Sequence, residues 1–128
     1  MVYLNDGFAG FTPEPGFQTS LLNPDLILAR DFDGDGRLDL AALNYRRNLD
    51  DPGSVQILFN TGSLSFDPAP PFFPASEVPF PEWLVTADFD RDGAADLALT
   101  DQVNGELSVF LNQFGIQAAS VKGWDRYR

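Results

Sequence analysis

Asp31-Phe32-Asp33-Gly34-Asp35-Gly36-Arg37-Leu38-Asp39 decides how this chain is read, and it has a twin in Asp88-Phe89-Asp90-Arg91-Asp92-Gly93-Ala94-Ala95-Asp96. Both spell D-x-D-x-D-G-x-x-D, and their first residues stand 57 positions apart, at 31 and 88. Four carboxylates within nine residues repel one another unless a cation sits among them. Calcium suits such a loop, because it takes about six to eight oxygen ligands in flexible geometry. The spacing puts the side chains of Asp31, Asp33 and Asp35 at ligand positions 1, 3 and 5. Gly36 makes the sharp turn, the main-chain carbonyl of Arg37 follows at position 7, and Asp39 completes the shell directly or through water. In the second loop Asp88, Asp90, Asp92, the carbonyl of Ala94, and Asp96 take the same places.

Rival loops fit less well. An EF-hand needs a bidentate Glu at position 12 and helices on both sides; position 12 is Ala42 or Leu99 here, and the flanks are short apolar runs. Leu26-Ile27-Leu28, Leu40 to Leu43, Trp83-Leu84-Val85 and Leu97-Ala98-Leu99 have the length of buried strands. A plain Asp-Gly turn with a solvated acidic face would explain one copy, but not the same four carboxylates twice. Magnesium prefers fewer protein oxygens and stricter geometry. Zinc lacks its usual ligands, since the chain has no His and no Cys.

The loops belong to a longer internal repeat. Pro24 to Asp33 aligns with Pro81 to Asp90 at the same offset, and Asp39-Leu40-Ala41 aligns with Asp96-Leu97-Ala98. A further strand follows in each copy, Ser54 to Asn60 and Leu107 to Asn112, and Val2 to Asn5 begins the chain as a third copy of it. Asn5-Asp6-Gly7 leads to Phe11, and Asn60-Thr61-Gly62 leads to Phe66, as Asn-x-Gly hairpins would. Prolines then crowd in, which marks loops and outer edges. The unit is strand, acidic loop, strand, turn, strand, tight turn, outer strand: a four-stranded antiparallel sheet. The apolar residues show no helical spacing.

Composition narrows the partners. The net charge is −11, from 8 basic and 19 acidic residues, and eight of those acids lie in the two loops. A basic footprint for nucleic acid is missing. No disulfide can form. The chain opens without a basic segment or a long apolar run, so neither a signal peptide nor a membrane span is expected in it; an export signal would lie outside it. Without His or Cys the usual nucleophile–base pairs are missing, and cation-bound aspartates make poor general acids, so no enzyme activity is expected.

Asp31 to Leu40 together with Ser54 to Asn60 resembles the FG-GAP/VCBS repeat. That family builds calcium-binding blades of β-propellers, including the head of integrin α chains and parts of many bacterial secreted proteins. The resemblance covers residues 1–114; the Phe-Gly and Gly-Ala-Pro signature is absent in clean form, which places the chain nearer the bacterial VCBS type. It implies an all-β fold of about two four-stranded antiparallel β-propeller blades plus a partial N-terminal blade. Residues 1–18 would be the outer strands of an incomplete blade, 19–76 and 77–120 the two blades with their calcium loops, and 121–128 a disordered tail. Two calcium ions are implied, held by the residues named above.

Propellers close with about four to eight blades, so the expected partners are further propeller blades of a longer chain or copies of itself, plus a protein or carbohydrate ligand. Phe8, Phe11, Leu107 and Phe110 are expected to be exposed at the two ends. Trp83 aligns with Leu26, which predicts a core position. Tyr45-Arg46-Arg47-Asn48, an insertion in the first copy, and Phe72-Phe73 are candidate contact surfaces. The expected function is an extracellular binding or adhesion module; the alternative is a non-catalytic accessory segment of a secreted polysaccharide-active enzyme.

Overall fold

The computed structural model of the protein describes residues 2–14, 24–45, 53–63, 65–69, 81–113 and 124–127. Among them every element is a strand and no helix occurs. A hairpin, β1 (Val2–Asn5) with β2 (Phe11–Glu14), comes first. One four-stranded sheet follows in simple succession: β3 (Pro24–Arg30), β4 (Asp39–Asn44), β5 (Ser54–Gly62) and β6 (Ser65–Pro68). The other repeats it: β7 (Pro81–Ala87), β8 (Asp96–Asp101), β9 (Glu106–Asn112) and β10 (Trp124–Tyr127). All pairings are antiparallel.

Local chemistry explains the matching edges. Pro24 and Pro81 open their strands, a position where a missing N–H does no harm. A bulge follows each of them, before Leu26 and before Trp83. At Asn60-Thr61-Gly62 the Asn60 side chain accepts from the Gly62 amide at 2.9 Å, and the register shifts there. The Asn-x-Gly triplet is thus a bulge that ends β5, and the turn falls one step later, at Ser63.

The two sheets share one core. The first contributes Ala41, Leu43, Val55 and Ile57, with Phe32 from its acidic loop; the second contributes Leu84, Leu97, Leu99 and Phe110, with Ala95 from its own loop. Strand β7 lies against β3 and β4. At the same junction Gly53 is buried against the start of β7, where an added Cβ would come within 2.5 Å of the Pro81 ring. The sheets do not present equivalent faces to each other. The row Leu26–Leu43–Val55 of the first sheet faces the second, whereas its counterpart Trp83–Thr100–Leu107 points away. The second sheet turns Leu84, Leu97 and Leu99 inward, the counterparts of Ile27, Leu40 and Ala42. The repeats are stacked front on back. A smaller cluster of Ala42 and Leu58, flanked by Leu40 and Phe66, lies on the back of the first sheet.

Three expectations change here. Trp83 is exposed, because its face meets no neighbouring sheet among the described residues. Phe110 is buried in the shared core rather than exposed, because it occupies the inward face of β9. Residues 124–127, expected in a disordered tail, pair with β9 as the fourth strand of the second sheet, from Trp124 opposite Asn112 to Tyr127 opposite Val109. Phe8, Phe11 and Leu107 are exposed as expected. Arg46-Arg47-Asn48 and Phe72-Phe73 lie outside the described residues.

Leu97 is completely buried at the centre of the shared core. Leu97→Ala should cost about 2–5 kcal/mol, as such truncations do in packed cores. Because both sheets line the cavity, chemical denaturation should still show one transition, shifted as a whole. Two separate transitions would mean that the sheets unfold independently.

Candidate metal centre

Each acidic loop joins the first two strands of its sheet and is wrapped around its own carboxylates. Asp31 accepts from the amides of Gly34 at 2.7 Å and Gly36 at 2.8 Å, one on each oxygen. Asp33 accepts from the Asp35 amide at 3.2 Å, and Asp35 from the Arg37 amide at 2.8 Å. In the second loop the Asp92 amide is shared between Asp88 and Asp90 at 3.1 Å, Gly93 donates to the other oxygen of Asp88, and Ala94 donates to Asp92 at 2.8 Å.

The ninth residue ties the loop to the sheet. Asp39 is fully buried as the first residue of β4. One oxygen accepts from the Phe32 amide at 2.8 Å and the other from the Asn60 amide on β5 at 2.7 Å. Asp96 does the same with Phe89 and Asn112, both at 2.8 Å. The two asparagines answer with their side chains. Asn60 Nδ2 donates to the Leu38 carbonyl at 3.0 Å, and Asn112 Nδ2 donates to the Ala95 carbonyl at 3.0 Å. Asn112 Nδ2 also reaches across to the carbonyl of Phe32 at 2.7 Å, joining the second sheet to the first loop. The sequence marks these asparagines only as the last residues of their strands, Asn60 also opening a hairpin turn. Their signal was the identical place of each, closing the strand that follows its loop.

Carboxylate oxygens of Asp31, Asp33 and Asp39 all lie within 4.8 Å of one another, and so do those of Asp88, Asp90 and Asp96. Asp35 and Asp92 are not in these groups. Asp35 instead forms an ion pair with the Arg37 guanidinium, whose Nε donates to the Asn60 carbonyl at 2.7 Å. Arg37 therefore straps the loop to β5 with its side chain, beyond the carbonyl role expected of it. Asp92 caps the amide of Ala94.

The donor set suits a hard cation. Every group is a carboxylate oxygen, and each oxygen already bonded to an N–H keeps a second acceptor site. Lost hydration, then repulsion from Asp39, Asp35 and Asp31, holds Asp33 above the usual carboxylate range, against the Asp35 amide that favours its charge. Asp90 is raised in the same way, first by lost hydration and then by Asp92, Asp96 and Asp88, against the Asp92 amide. Negative charge is thus concentrated beyond what the backbone donors offset, which a bound cation would relieve.

The fourth position of the loops differs in a way that bears on strain. Gly34 has φ +80°, and Arg91, its counterpart, has φ +65°. A side chain there carries steric strain that glycine avoids.

An all-β internal repeat with paired acidic loops at the entry to its central strands defines a class of repeat module. The chain belongs to the FG-GAP-like repeat family, whose model matches residues 31–99, from the start of the first loop into β8. No curated protein and no solved structure matched the chain.

Two mutants separate anchoring from ligation. Asp39→Ala leaves two amides without an acceptor, and each buried one costs about 1–3 kcal/mol; the melting temperature should fall even in chelator. Asp33→Ala should change the chelated melt by no more than about 0.5 kcal/mol yet abolish the first loop's response to cation. Arg91→Gly should relieve left-handed strain and raise stability by up to about 1 kcal/mol, read in the same melts. Raised carboxylate pKa values also fix a sign. Asp33 and Asp90 take up protons at higher pH than ordinary aspartates, so protons compete with the cation, and affinity should fall as the pH is lowered toward the carboxylate range, starting at higher pH than for ordinary aspartates.

Proposed function

We propose that the chain is a calcium-binding module of β-propeller type that works outside the cell, as a binding or adhesion surface. The observation that carries this reading is the duplicated group of three converging carboxylates, each containing a buried aspartate that anchors the central strand. Calcium would complete its shell with main-chain carbonyls such as those of Arg37 and Ala94 and with water, in keeping with its appetite for oxygen. Its role is structural: it neutralises the carboxylates and fixes the loop that links the first two strands. Family membership supports the propeller-type architecture. No helix among the described residues is long and apolar enough to cross a membrane.

Non-catalytic function is part of the proposal. The chain lacks His and Cys throughout. The aspartates that converge do so as a cation's ligands, and a cation holding them would leave no free general acid or base.

Calorimetric titration with calcium should find two sites, and the wild-type melt should shift upward by about 2.7 kcal/mol per site when free calcium is a hundredfold above its dissociation constant. An extracellular module should bind weakly, with dissociation constants of about 0.1–1 mM. A flat titration would refute calcium binding. Submicromolar affinity would instead point to a compartment of low free calcium and away from the extracellular assignment.

A further inference from the structure

The two acidic loops differ at their seventh position, and the difference reaches the carboxylates. This residue is Arg37 in the first loop and Ala94 in the second. The Arg37 guanidinium forms an ion pair with Asp35, and its Nε donates to the Asn60 carbonyl on β5 at 2.7 Å. Asp35 therefore has both oxygens engaged by one residue, Oδ1 by the Arg37 amide at 2.8 Å and Oδ2 by the guanidinium. Its counterpart Asp92 accepts from the Ala94 amide on Oδ1, and its Oδ2 has no hydrogen-bond partner among the described residues. The second loop carries an arginine of its own, Arg91 at the fourth position, but that residue is exposed and pairs with no carboxylate among the described residues.

A guanidinium is a permanent positive charge, and in the first loop it already sits against one of the four carboxylates. We propose that Arg37 is a tethered cation that makes the loops unequal sites: the second takes up calcium at lower concentration, and the first fills only above it. This rests on the calcium reading and adds an order of filling to it. Two effects have the same sign. An ion entering the second loop can draw in the open Oδ2 of Asp92 as a fourth carboxylate, whereas in the first loop Asp35 must first give up its ion pair. The guanidinium also repels an incoming divalent ion. The first loop thus offers a field of three carboxylates against four, and the number of charged ligands tunes the affinity of calcium loops. Burial acts the other way. Asp31 and Asp33 are half-buried, while Asp88 and Asp90 are exposed, and attraction strengthens where water is excluded. Partial burial only trims the screening by solvent, however, whereas Arg37 cancels one carboxylate in four. Without an ion, the same side chain keeps the first loop strapped to β5, a tie that Ala94 cannot make.

Two full-length chains with one working loop each test the order: Asp90→Ala keeps the first loop and Asp33→Ala keeps the second. Calorimetric titration with calcium chloride should give a dissociation constant about fivefold or more lower for the Asp33→Ala chain, the weight of one exposed ion pair. Adding Arg37→Met to the Asp90→Ala chain removes the charge and keeps the main-chain carbonyl, and its affinity should rise by about the same factor. Adding Ala94→Arg to the Asp33→Ala chain should weaken the second loop, an arm that stands even if Arg37→Met does not fold. Circular dichroism in chelator checks the fold of each chain. Equal constants in the two single-loop chains, or a tighter first loop, would overturn the proposal. So would a folded Arg37→Met or Ala94→Arg chain whose affinity stays where it was. Silence in both single-loop chains is a separate failure: it refutes calcium binding itself, and this inference falls with it.

Discussion

A buried aspartate at the first position of each central strand is the constraint on which the rest hangs. A carboxylate withdrawn from water is costly unless its oxygens are bonded. Asp39 and Asp96 meet that demand with two backbone amides each, one from the acidic loop behind and one from the strand beside. That single side chain thereby sets three things together: where the loop ends, where the central strand begins, and the register of the following strand. The asparagine that closes this strand returns a bond to the loop and, in the second sheet, extends one to the first. Loop, sheet and inter-sheet contact are therefore joined by one set of hydrogen bonds, of which both copies hold the loop-to-strand part.

Stacking copies front on back has a consequence that copying by a two-fold axis would not have. A two-fold would bury like faces together and leave like faces open. Front-on-back stacking buries the front of one sheet on the back of the next and leaves one of each unmatched until the stack closes into a ring. The apolar content of both faces follows from it: a repeat cannot make its front greasy in one copy alone when the sequence is duplicated. Trp83 and Leu107 are the front residues of a sheet with no successor among the described residues.

Much of this was legible in the amino-acid sequence. The loop spacing located eight aspartates, and the 57-residue offset located the strands around them, because both signals are local and occur twice. Six of the eight aspartates converge, while Asp35 and Asp92 cap the loop instead. Burial was harder to read, since it depends on which neighbour covers a face. The alignment of Trp83 with Leu26 was sound, but only the Leu26 face is covered. Phe110 errs the other way: its face alternation on β9, not its nearness to the end of the repeat, decides its burial. The fourth strand of the second sheet escaped notice because Asn112 is not followed by the glycine that closes the first hairpin, so β10 begins only at Trp124, in a segment without repeat signature.

The wrapped loops also say what sort of cation site they would make. Asp31 and Asp88 already take two amides apiece, and the ninth-position aspartates are locked into the sheet. Each such oxygen still has an unused lone pair, so an ion can enter without first pulling the backbone into shape. Affinity is lost chiefly to ordering when a site must be folded by its metal. Here the ordering belongs to the fold, and the energy of binding an ion would go into stability by linkage. The penalty falls on the charge instead. Lost hydration first, and then the neighbouring aspartates, pushes the Asp33 and Asp90 carboxyls toward the protonated form, so a bound ion would contribute electrostatic relief in a scaffold that is already made.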